Sequence, residues 1–140
     1  PPLGSMVMLA PPNQGSSMAQ QFKNNKAVRA VWGASGNEIA SDWPRLSQHL
    51  AIPRFRFGII AGQSSNSKVD NPLLKGKDDL VVTVAETRLP GAHDFLVAPA
   101  VHTYLMDHPQ VHAATLRFLT HGYFLSEAQR QPIQARSGKP

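Results

Sequence analysis

The chain contains no cysteine among its 140 residues, which excludes disulfide bonds, thiolate nucleophiles and cysteine-ligated zinc sites. No apolar run approaches the ~20 residues needed to cross a bilayer. The first residues also lack the charged and apolar regions of a secretory signal. These absences favour a protein of a reducing compartment without a membrane span, and we expect a cytoplasmic location.

Charge is modest: 14 Lys and Arg against 9 Asp and Glu give a net charge of +5. The basic residues are scattered, whereas a nucleic-acid interface needs a clustered stripe, so we expect no nucleic-acid partner. Hydrophobic residues make up 41% of the chain. A chain of this length buries roughly two-thirds of its surface, which predicts one globular domain.

The two ends of the chain differ from its middle. Residues 1–5 (PPLGS) resemble the remnant of a protease-cleaved expression tag, so we expect the natural chain to begin at Met6. Residues 126–140 carry no periodic apolar pattern, which predicts a disordered tail. The single domain is therefore predicted to span residues 6–125.

Three short apolar runs predict buried β-strands, at residues 6–10 (MVMLA), 54–62 (RFRFGIIAG) and 94–100 (DFLVAPA). Long connections separate them, and parallel strands need a crossover of a dozen or more residues. The pattern predicts a three-layer α/β fold, in which helices flank a short parallel sheet of about three strands.

Helical patterns fill the connections. Ser17 is a plausible N-cap, and Gln20 completes a capping box for a helix reaching about Trp32. Pro44 favours a short helix after it, and residues 79–89 place Leu and Val at helix-compatible spacing.

The last predicted helix has clear ends. Asp107 or His108 can cap it, Pro109 lies in its first turn, and Gly122 closes it. Its apolar stripe consists of Val111, Ala114, Thr115, Phe118 and Leu119.

Several motifs follow one another along the chain: PPNQGS after the first strand, the strand FGIIAG, Asn71-Pro72-Leu73-Leu74, Asp78, the strand LVAPA, His102-Thr103-Tyr104 and the closing FLTHGYF. In this order they resemble the bacterial α/β-hydrolases of the lipase and esterase type. The resemblance covers most of residues 6–124. It implies the part of that fold from its sixth strand to its C-terminus.

The resemblance implies that Asp78 and His102 are the acid and the base of a Ser-His-Asp triad. In such a triad the buried carboxylate holds the histidine tautomer and stabilises the imidazolium. The family has Asp-Gly at the acid turn, whereas this chain has Asp78-Asp79, so either carboxylate could point inward. From the residues alone, a helix-capping Asp78 and a turn histidine are the simpler interpretation.

The nucleophile of the family is missing from this sequence. Its serine lies in a G-x-S-x-G elbow, and only Gly33-Ala34-Ser35-Gly36 and Gly62-Gln63-Ser64-Ser65 come near that pattern. Both lack the second glycine at the required position. We therefore expect a truncated esterase-like hydrolase that is inactive alone, or alternatively a non-catalytic binding or assembly module on the same scaffold.

No metal or cofactor is expected. His108 and His112 have the four-residue spacing of metal ligands, but no H-E-x-x-H motif accompanies them, which favours surface histidines. In the family the strand equivalent to residues 6–10 has a neighbour on both sides, and here one neighbour is missing. An unpaired edge predicts a homodimer or docking of a separate N-terminal hydrolase half, with cover by a tail and a loosely packed monomer as rivals.

Overall fold

The computed structural model describes residues 4–22, 24, 42–64, 79 and 81–135. Within them, three strands form one parallel sheet in the order β1-β2-β3. The strands are β1 (Ser5–Leu9), β2 (Arg56–Gly62) and β3 (Asp94–Ala98). The prediction of a short parallel three-stranded sheet is confirmed. β1 begins one residue before the predicted start, and Ser5 accepts a hydrogen bond from the Arg56 side chain at 2.8 Å.

In the described parts of the chain, four α-helices and a 3₁₀ helix accompany the sheet: α1 (Ser17–Phe22), α2 (Trp43–His49), α3 (His102–Leu105), α4 (Pro109–His121) and the 3₁₀ helix Glu127–Gln129. Ser17, the predicted N-cap, is instead the first helical residue of α1. Its N–H donates a hydrogen bond to the side chain of Glu86. The predicted continuation of this helix to Trp32 lies outside the described residues.

Helix α4 has the predicted ends, because they depend on local chemistry. His108 is the N-cap, Pro109 opens the helix, and Gly122 adopts the left-handed conformation (φ 90°) that closes it. The Gly122 N–H donates to the Phe118 carbonyl at 2.8 Å. Leu119, predicted to belong to the buried stripe, is instead 43% exposed.

Helix α4 covers one face of the sheet. Gly58 of β2 leaves room for two aromatic rings, since a Cβ atom there would lie 2.6 Å from the Phe124 ring and 2.7 Å from that of Phe118. The two rings stack with centroids 4.8 Å apart. The buried residues of this core are Ala10, Ile60, Ala98, Ala100, Leu105, Val111, Ala114, Phe118 and Phe124.

The opposite face of the sheet carries a second core, formed by Phe57, Ile59, Ala61, Ala92 and Phe95. Partly buried side chains pack against it from the β2–β3 connection and from the C-terminal segment, among them Val84, Leu89 and Ile133. With both faces covered, the central strand β2 is wholly apolar from Phe57 to Gly62, as its sequence predicts.

The helix predicted over residues 79–89 is wrong for residues 81–89, which form bends and turns. Side chains satisfy the backbone groups that a helix would have paired. Asp79 accepts from the N–H groups of Val81 and Val82, and Glu86 accepts from that of Thr83. Short polar side chains and β-branched residues both disfavour a helix interior, so the apolar spacing alone misled the prediction.

The sequence predicts disorder from Ser126 onward, whereas residues 126–135 follow a defined path in the structure. The buried carboxylate of Asp94 accepts from the Phe124 N–H at 2.7 Å and from the Gln131 N–H at 2.8 Å. Ile133 then pairs with the chain before β3, donating to the Ala92 carbonyl and accepting from the Gly91 N–H, both at 2.9 Å. The segment is held by the buried Asp94 carboxylate and by two backbone hydrogen bonds. Such contacts produce no periodic pattern of apolar residues in the sequence.

Candidate functional site: an aspartate–histidine pair

The site forms where β2 and β3 end. Open parallel sheets place binding sites at the carboxyl ends of their strands, because the loops that follow neighbouring strands meet there. Asp79 packs against Gly62, the last residue of β2, and His102 follows β3 as the first residue of α3. The backbone joins them too, since the His102 N–H donates to the Asp79 carbonyl at 2.9 Å.

The two side chains are hydrogen-bonded. His102 Nδ1 lies 2.8 Å from Asp79 Oδ2. The Asp79 side chain is fully buried, whereas that of His102 is 36% exposed. Asp78, which the resemblance puts forward as the acid, lies outside the described residues. Asp79, the other carboxylate of that turn, makes the contact with His102.

The turn around Asp79 orients its carboxylate. Oδ1 accepts hydrogen bonds from the N–H groups of Val81 at 3.1 Å and Val82 at 2.7 Å. The Asp79 N–H in turn donates to the Val82 carbonyl at 3.2 Å. With Oδ1 occupied by its own turn, Oδ2 is the oxygen directed at His102.

The carboxylate changes the acidity of the imidazole. The hydrogen bond that His102 Nδ1 donates to the Asp79 carboxylate raises the pKa of His102 above the usual 6.5; burial opposes this, and the negative charge of Asp79 adds to the rise. A carboxylate on Nδ1 therefore favours the imidazolium form, the state that a general base reaches after taking a proton at Nε2.

Gly62 permits the close approach of the acid. A Cβ atom at this position would lie 2.6 Å from the Ala100 carbonyl oxygen and 2.8 Å from Asp79 Cβ. Both distances are shorter than real Cβ contacts, and one neighbour is backbone. Any larger residue would push Asp79 or the chain before His102 out of place.

Glu86, which the sequence motifs did not point to, pairs with Thr83 in the turn after Asp79. Its carboxylate accepts from the Thr83 N–H at 2.8 Å, and its own N–H donates to the Thr83 hydroxyl at 3.2 Å. These reciprocal bonds are those of a capping box, so the T-x-x-E spacing of Thr83 and Glu86 was the signal that could have found it.

The histidines with metal-ligand spacing do not form a centre. His108 occupies the N-cap of α4 with a buried Nδ1 that has no hydrogen-bond partner, and His112 contacts the Met106 carbonyl through Nε2. Among the described residues, no group of three or more His, Cys, Asp or Glu side chains could hold a metal ion.

Within the described part of the chain, no helix has the length and apolar character needed to cross a bilayer. A scan against protein-family models and searches of curated proteins and of solved structures returned no match.

Proposed function

We propose that this chain supplies the acid and the base of a carboxylic-ester hydrolase, with Asp79 orienting His102, and that it is inactive by itself. The observation that carries the proposal is the 2.8 Å bond between a fully buried carboxylate and the Nδ1 of a partly exposed imidazole. Its place beyond the ends of two parallel strands, and the resemblance in the order of motifs, support the same interpretation.

The chemistry assigns a role to each group. His102 Nε2 takes the proton of an attacking hydroxyl, and Asp79 stabilises the imidazolium that results. Ester hydrolysis through an acyl-enzyme also needs a serine within about 3 Å of Nε2. These 140 residues contain no G-x-S-x-G segment to provide it, so the nucleophile is expected from a separate or preceding hydrolase half.

The test is an ester-hydrolysis assay on the chain as it stands. We expect no release of p-nitrophenol from p-nitrophenyl butyrate above a buffer control, and no labelling by a serine-directed fluorophosphonate probe. Turnover that disappears in both Asp79→Asn and His102→Gln, and in one serine variant, would show that the chain contains its own nucleophile. The inactivity proposed here would then be wrong.

A second candidate function, a non-catalytic assembly module, is favoured by the edge of the sheet. Among the described strands, β1 pairs with β2 on one side only. Its last residue, Leu9, is 38% exposed, and Leu116 on α4, the helix packed over β1, is 68% exposed. An unpaired apolar edge recruits another strand, so we propose a homodimer through residues 6–10 as the simplest assembly.

A further inference from the structure

The turn that carries Asp79 ends on a second carboxylate, which does not touch His102. Glu86 accepts two backbone hydrogen bonds, from Ser17 to Oε1 at 2.6 Å and from Thr83 to Oε2 at 2.8 Å. Both oxygens are therefore engaged, and hydrogen bonds to a charged acceptor are stronger than those between neutral groups. Because its two donors belong to different segments, the Glu86 carboxylate joins the start of α1 to the turn that contains Thr83.

Thr83 connects this carboxylate to the acid of the site. It is buried, and it directly follows Val82, which is also buried. Val82 donates its N–H to Asp79 Oδ1 at 2.7 Å and accepts from the Asp79 N–H at 3.2 Å. Movement of Thr83 therefore moves Val82, and with it the groups that orient the Asp79 carboxylate.

The other end of the connection is anchored to the loop after β1. Gln14 donates its N–H to the Glu86 carbonyl at 2.8 Å, and the Asn13 amide donates to the Thr87 carbonyl at 2.8 Å. Glu86 thus holds the turn that carries Asp79 against the part of the chain that follows β1. His102, the partner of Asp79, follows β3. The Asp79–His102 contact therefore depends on the position of the turn relative to β3.

From these contacts we propose that Glu86 is a positioning residue, which aligns Asp79 with His102 by clamping the turn of residues 81–88 to the start of α1. This inference rests on the proposed function, because the alignment matters only if the Asp79–His102 pair is the working site. It adds a residue that neither the pair nor the motif order identifies.

The test measures the titration of His102 in the intact chain. Histidine ring signals of isotope-labelled protein are followed by NMR from about pH 5 to about pH 9, either side of the usual value of about 6.5, with His102→Gln identifying the resonance. Asp79→Asn gives the pKa of His102 in the absence of the Asp79 carboxylate. We expect Glu86→Gln, which keeps the shape but can accept only one of the two bonds with its amide oxygen, to remove more than half of the wild-type-to-Asp79→Asn difference.

Two controls separate alignment from general loosening. Glu127→Gln removes an exposed carboxylate that pairs with Arg130 and should leave the His102 titration unchanged. Ile133→Ala weakens the packing of the C-terminal segment against the opposite core and lowers stability, at a residue whose backbone hydrogen bonds go to Gly91 and Ala92, beyond residues 81–88. Should Glu86→Gln fail to fold, Thr83→Val and Thr83→Ser replace it. The first loses the hydroxyl that accepts from the Glu86 backbone N–H, which is the other half of the reciprocal pair that places the Glu86 carboxylate, and the second keeps it.

Each outcome has one meaning. A wild-type His102 that titrates at or below 6.5 contradicts the Asp79–His102 pair and with it the proposed function. A raised wild-type value that Asp79→Asn lowers and Glu86→Gln leaves unchanged rejects the positioning role alone. An equal shift in Glu86→Gln and Ile133→Ala also rejects it, since loss of stability would then be the cause.

Discussion

Asp79 divides its two oxygens between its own turn and His102, and this division decides what the pair can do. The oxygen held by Val81 and Val82 cannot rotate away, so the other oxygen stays 2.8 Å from Nδ1. His102 remains partly open to solvent. At the scale of single residues, the pair therefore combines a buried, hydrogen-bonded carboxylate with a partly exposed imidazole.

The raised pKa of His102 makes stability depend on pH. A histidine whose pKa is higher in the folded state than in the unfolded chain contributes stability below about 6.5, and this contribution is lost as pH rises through the folded value. We expect the free energy of unfolding of the wild type, minus that of Asp79→Asn, to be larger near pH 6 than near pH 8.5. Urea denaturation at both values measures it.

Asp107→Asn is the matched control, because Asp107 is an exposed carboxylate near α3. Its stability difference from the wild type should be the same at both pH values. An Asp79→Asn difference that grows with pH would have the wrong sign for a histidine held in its charged form by this carboxylate.

At the scale of whole elements, the buried Asp94 connects the start of β3 to the chain after α4. It accepts from the N–H groups of Phe95, Phe124 and Gln131. The Phe124 ring in turn packs over Gly58 in the central strand. The carboxylate thus holds the chain after α4 against the sheet, which explains why residues 126–135 follow a defined path.

Asp94→Asn should loosen this segment. The amide keeps one accepting oxygen but sets its NH₂ group against a backbone N–H, and a lost hydrogen bond to a buried charged group costs about 1.5–3 kcal/mol. We expect a loss of about 2 kcal/mol in the free energy of unfolding, with faster proteolysis after Ser126. Glu127→Gln, which changes an exposed carboxylate of the same segment, should be close to neutral. Equal stability of the two variants would exclude Asp94 as the anchor.

At the scale of the whole molecule, β1 is an outer strand of the described sheet and pairs with β2 alone. In the proposed homodimer, two β1 strands pair antiparallel, as a two-fold axis requires, and join the sheets of the two copies. Static light scattering after size exclusion at ~100 μM, well above a micromolar dissociation constant, should then give twice the chain mass. Leu9→Lys adds a charge to the edge and should return the monomer, as charged side chains do on natural edges. Leu50→Lys, at a similarly exposed leucine after α2, is the control. A wild-type monomer at this concentration would reject the dimer.

Sequence reasoning succeeded where neighbouring residues determine the structure. The apolar runs predicted all three strands and their parallel pairing to within two residues at each end. Pro109 and Gly122 marked the ends of α4, because proline suits the first helical turn and glycine suits the left-handed residue that ends a helix. The absence of cysteine and of a G-x-S-x-G elbow was likewise a property of the sequence by itself.

Only the tertiary structure decided which groups meet. It brought Asp79 against His102, where the motif order had left Asp78 and Asp79 as alternatives. It also replaced the helix predicted over residues 79–89 with bends and turns at residues 81–89, which are tied to the loop after β1. It also placed residues 126–135 beside Asp94. Each of these outcomes depends on hydrogen bonds between residues far apart in the chain, and local spacing and propensity contain no information about such partners.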